Sequence, residues 1–210
     1  MRALLFFFLS LPIFAHTADD VLFYWFGKDP IANPTQNAAM WFVGGAAIDE
    51  EIQSRFGDLY LDARFGRLEE WKMTPRGRLA LIILLDQFPR NLFRGSGDAF
   101  LTDALSLRIV LDGLEEQHDH QLCTIEKFFF YMPLMHAEDR DTQNLSVILL
   151  ERLYAEADAP AKEQMERSLQ FAKLHQEVIE EFGRFPSRNA ALNRHCSPNE
   201  VAYLQQNPSF

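Results

Sequence analysis

Apolar residues recur at helical spacing along most of the chain, and strand-like alternation appears nowhere at useful length. The longest unbroken run is Leu79 to Leu85, seven apolar residues that follow Thr74-Pro75 and give way to Asp86, Gln87, Pro89, Arg90, Asn91 and Arg94. Thr74 suits a helix N-cap with Pro75 at the first position, where the missing N–H costs nothing. Being apolar on every side, this helix should lie buried, over about 75–88, with Pro89 ending it. Asp86 then sits at the negative end of a helix dipole and needs a cation or several donors, Arg90 being nearest.

Around this hub the pattern predicts further helices. Asp19 or Asp20 can cap a short helix, VLFYWF, that Gly27 stops. Trp41 and Phe42 should anchor the segment before Gly44-Gly45. Ile48, Ile52, Phe56, Leu59 and Ala63 predict one or two helices over about 46–65, with Gly57 a weak point and Gly66 a C-cap. A helix from Asp98 to about Leu111 should end at Gly113. The connector EEQHDHQ reads as a solvated loop, with His118 and His120 at most weak metal ligands. A helix through LCTIEKFFFYMPLMHAED puts Glu126 on an inward face and is ended or kinked by Pro133. Asp139 to Ala157 and Pro160 to Phe182 form a helical hairpin, and Ser197-Pro198 with Glu200 start a last short helix. The reading is all-α, a single domain of about eight or nine helices over 19–206.

Composition changes this picture in two places. Residues 1–15 combine Arg2 with an apolar run, which is the layout of a signal peptide cleaved after Ala15 or as late as Ala18, so the setting is periplasmic or secreted. That run is short for a membrane span and no later stretch is a convincing one, so the mature chain is not expected in the bilayer. A formal net charge of −10 without a basic cluster argues against nucleic acid and anionic lipid as partners. Cys123 and Cys196 either pair, closing a long loop worth about 4 kcal/mol, or stay as separate thiols.

Two separate segments, Gln87-Phe88-Pro89-Arg90-Asn91 and Gly183-Arg184-Phe185-Pro186-Ser187-Arg188-Asn189, repeat Phe-Pro followed by Arg-Asn after an apolar helix. Arginines on a proline-constrained backbone suit bidentate capture of a carboxylate or phosphate. Ion pairs with Asp86, Glu126 or Glu138 would account for the same residues. His136, with Glu138 two residues on, is the candidate general base, whereas His175 shares a face with Phe171, Val178, Ile179 and Phe182 and reads as packing. The signatures HExxH, GxSxG, GxxxxGK[ST] and GxGxxG are missing, so no metal or cofactor is implied.

Taken together, LALIILLDQFPRNLFRG, FFFYMPLMHAED and FGRFPSRN, with the onset VLFYWFG, resemble an uncharacterised bacterial family, domain of unknown function 924, over roughly residues 21–205. The resemblance implies a helical stack like that of tetratricopeptide repeats and no settled activity. It also implies as polar site positions Asp86, Gln87, Arg90, Asn91, His136, Glu138, His175, Arg184, Arg188 and Asn189. The leading expectation is a pocket for a small anionic ligand. Arg90, Arg184 and Arg188 would clamp it, Asn91 and Asn189 orient it, His136 and Glu138 transfer protons, and hydrolysis is the reaction class. The rival is a non-catalytic scaffold that holds a peptide through Trp25, Trp41 or Trp71.

Overall fold

A computed structural model describes residues 16–207, and the signal-peptide reading of 1–15 lies outside them. Among the described residues every element is helical and forms one domain. Short α1 (Ala18–Phe26) and α2 (Ala38–Phe42) precede α3 (Ala46–Arg64), which runs through Gly57 without a break. The cap of α1 is Thr17, which accepts from the Asp20 backbone while the Asp20 carboxylate accepts from Thr17 N–H; the expected caps Asp19 and Asp20 lie inside the first turn.

The apolar run forms α4 (Pro75–Ile82), capped by Thr74 as expected. It then passes through a π-helical segment (Ile83–Gln87) into α5 (Phe88–Leu92), so Pro89 lies inside a continuous helical rod instead of ending it. In a regular α-helix residue 89 would donate to the Leu85 carbonyl, which a proline cannot do. The Thr102 hydroxyl donates to it instead at 2.6 Å, and the Arg90 guanidinium donates to the next carbonyl, that of Asp86. Every residue from Leu79 to Leu85 is buried. The rod is enclosed by α1, α3, α6 (Asp103–Glu115) and α7 (Thr124–Met135).

Gly113 sits within α6 instead of stopping it, at a point where a Cβ would come 2.4 Å from Arg78 Cδ and 2.7 Å from Phe130 Cζ. Close approach of α6 to α4 and α7 is therefore what requires glycine there. Pro133 lies inside α7, which continues to Met135. Glu126 does point inward, as its spacing predicts, bonding Arg76 at 2.8 Å and the Cys123 backbone at 3.0 Å. Most of the connector is exposed, as expected, but His118 and Asp119 within it are buried. Arg78, buried at 2% exposure, holds His118, and the Tyr131 hydroxyl holds Asp119.

Beyond α7, α8 (Arg140–Glu156) and α9 (Ala159–Phe182) form the expected hairpin, and α10 (Pro198–Gln206) closes the chain with its capping box. Phe171 turns outward from α9, while Val178, Ile179 and Phe185 make a small second core. Counting α4 through α5 as one rod gives nine α-helices among the described residues.

Candidate functional site

The π-segment brings Asp86 and Gln87 to the end of the rod, facing the C-terminus of α7, the N-terminus of α6 and the 3₁₀ turn Pro186–Arg188. Asp86 has no exposed surface. Its carboxylate takes the Gln87 amide, lies 3.5 Å from the Arg90 guanidinium and is 2.8 Å from His136 Nδ1. Burial alone would raise the Asp86 carboxyl, but the charge of Arg90 and the contacts with His136 and Gln87 outweigh it and hold it at about 2.

An ionised carboxylate only accepts, so the proton of neutral His136 lies on Nδ1 and the lone pair on Nε2. Burial, with Arg90 adding, pushes the imidazole below its usual range against the pull of Asp86. Nε2 has no hydrogen-bond partner among the described residues, and the side chain keeps 12% of its surface exposed. The backbone beneath it is fixed on three consecutive carbonyls. Gln143 Nε2 donates to Met135 O at 2.6 Å and to Ala137 O at 2.8 Å, and Arg188 Nη2 donates to His136 O at 2.9 Å. This is an oriented base, the arrangement that general-base catalysis needs.

Arg90 and Arg188 converge on Asp103, the first residue of α6. Arg90 reaches its two oxygens at 3.1 and 3.3 Å, and Arg188 reaches Oδ2 at 3.1 Å. Phe100 and Phe185 flank the Arg188 guanidinium, with centroids at 4.7 and 4.6 Å. His175 packs its ring on Phe185 at 5.2 Å and meets Phe171 O through Nδ1 at 2.8 Å. Burial pushes it down to about 4, Arg188 and Arg90 adding to the effect, so it too is neutral. Its place beside the arginines differs from the plain packing role that spacing alone suggests.

Of the predicted residues, Asp86, Gln87, Arg90, His136 and Arg188 thus meet, with His175 at the edge. The others are held elsewhere. Glu138 binds Arg194 in a fork at 2.6 and 3.0 Å and accepts from Phe185 N–H at 2.9 Å, so the carboxylate partner of His136 is Asp86. Arg184 forks onto Glu200 of the α10 capping box. Asn91 joins Arg94 on Asp49, and Asn189 is buried between Arg194 and Cys196. Sequence reasoning missed Asp103 and Phe100, which no motif marks, and it read Phe185 only as part of the Phe-Pro repeat, without a place in the site. Both cysteines are free, and among the described residues no group of three or more His, Cys, Asp or Glu side chains could hold a metal ion. No helix there is long and apolar enough to cross a membrane.

Among curated proteins none matches the chain. A solved protein of unknown function from Agrobacterium tumefaciens is similar, at 33% identity and a TM-score of 0.76, over 90% of this chain and 97% of that one. The family described as a bacterial protein of unknown function, DUF924, matches residues 21–208. The chain with this buried Asp–His pair and its converging arginines therefore belongs to the DUF924 family.

Proposed function

We propose that the cluster of Asp86, Arg90, His136 and Arg188 is the active site of a hydrolase acting on a small anionic substrate. One observation carries this reading: the Asp86–His136 contact at 2.8 Å, which leaves Nε2 as an acceptor for a proton from water. His136 is the base, Asp86 fixes its tautomer, and Arg90 and Arg188 hold the substrate's negative group. Two carboxylates, Asp86 and Asp103, already balance the two guanidiniums, which favours a substrate with a single negative charge over a polyanion. The apolar start of the chain supports a periplasmic or secreted setting. The tryptophans that a peptide scaffold would use are built into or against the core, Trp25 fully and Trp41 and Trp71 in part.

The test is turnover of a panel of chromogenic esters, amides and phosphodiesters that carry one negative charge. Wild type should hydrolyse at least one, and His136→Gln should lose about 10²-fold or more. Turnover of none, or full activity in His136→Gln, refutes the proposal.

A further inference from the structure

A cavity of about 290 Å³ lies between α6, α7 and α8, lined by residues that do not belong to the Asp86–His136 cluster. Its floor is Leu114, Leu149 and Leu153. One wall is Asp119, only 6% exposed, whose Oδ2 takes the Tyr131 hydroxyl at 2.7 Å. Its Oδ1 has no hydrogen-bond donor among the described residues. Oδ1 is not sealed in the interior: it faces accessible space, where a ligand's donor can meet it.

The turn that carries Asp119 cannot readily release it. Arg78 grips the His118–Gln121 turn through His118 Nδ1 at 3.0 Å and anchors itself on Ile109 O at 3.1 Å and Glu116 at 2.8 Å. Arg78 thus fixes the turn at the residue next to Asp119 without touching the carboxylate itself. Lys127 and Arg152 line the same cavity, as does Glu156. Neither cation forms an ion pair within 4 Å among the described residues, so both can meet a ligand's carboxylate.

We propose that this cavity binds a free α-amino acid with an apolar side chain. The ammonium supplies the donors that Asp119 Oδ1 lacks, the carboxylate meets Lys127 and Arg152, and the side chain lies on the three leucines. The volume is at the small end of ligand pockets, which fits a single amino acid and not a peptide. A lining that holds both carboxylates and cations matches a zwitterion better than a plain anion or a plain amine.

Isothermal titration calorimetry of the whole protein with L-leucine, L-methionine and L-phenylalanine tests this. At least one should bind saturably, and its N-acetyl derivative, which lacks the ammonium, should bind at least tenfold more weakly. Asp119→Asn should cause a similar loss. Arg152→Met should weaken the free amino acid and leave its amide unchanged, because the amide has no carboxylate to lose. His136→Gln should bind as wild type does, which separates this site from the Asp86–His136 cluster. No saturable heat up to about 10 mM overturns the proposal, as does equal binding of the N-acetyl derivative. Should Asp119→Asn fail to fold by circular dichroism, the N-acetyl comparison on wild type decides alone.

Discussion

Arg188→Ala removes the side chain that ties three segments together. Arg188 is 13% exposed and its partner Asp103 16%, so solvent screens the pair only in part. Truncation deletes a charged hydrogen bond to Asp103, worth about 1.5 to 3 kcal/mol, although Arg90 remains to share that carboxylate. The donor to His136 O disappears, and two aromatic faces lose a cation, each contact being worth about 0.5 to 1 kcal/mol. These contributions overlap, and the expected loss is about 3 kcal/mol. For a chain of this size that is a fall of about 6 to 12 °C in melting temperature. Urea unfolding followed by far-UV circular dichroism and by tryptophan fluorescence measures it, coincident curves securing a two-state fit. Arg188→Lys keeps the charge without the fork and should recover less than half. A loss below about 1 kcal/mol in Arg188→Ala would refute the reasoning, because Asp103 and the His136 carbonyl would then be satisfied without it.

Asp86 makes stability depend on acid. Its carboxyl titrates near 3.9 when unfolded and at about 2 when folded, so its contribution of about 2 to 3 kcal/mol is complete above pH 4 and lost as pH falls through 2. Urea midpoints from pH 6 to pH 2 should show this fall in wild type and a shallower one in Asp86→Asn. Thr102→Val leaves the Leu85 carbonyl without its donor and should cost about 1 to 3 kcal/mol by the same assay, whereas Thr102→Ser should keep most of it. Gly113→Ala should destabilise by about 1 to 3 kcal/mol, since crowding against Arg78 and Phe130 offsets the gain of about 1 kcal/mol from better helix propensity; a more stable variant would contradict the close packing.

Local signals carried the fold a long way. Thr74-Pro75, Ser197-Pro198-Glu200 and the spacing of α3, α8 and α9 mark their elements because caps and amphipathic faces are short-range properties. What tertiary partners decide was not legible. Gly113 looks like a stop until Arg78 and Phe130 are seen against it, and His118 and Asp119 of the otherwise exposed connector look solvated until Arg78 and Tyr131 arrive from other helices. At the Asp86–His136 cluster, the motifs supplied the arginines and His136, but the neighbour Glu138 was a poor guide to the histidine's partner. Asp86, fifty residues earlier, takes that place because the two lie at facing ends of the rod and α7. The π-segment itself was hidden, since a run that is apolar on all sides gives no face from which a change of helical register can be noticed.

That segment accommodates one more residue in its turn than an α-helix would. Five residues at the wider π spacing turn through about the same angle as four at the α spacing, so the extra residue is absorbed and α5 keeps its phase relative to α4. Deleting one residue of this segment, Leu84 for example, would let α4 and α5 join as regular helix with Arg90 still turned toward Asp103. A second deletion would find no slack left and would rotate everything beyond it by about 100° relative to α4. The rod can therefore lose one residue at this place and keep its phase, and it cannot lose two.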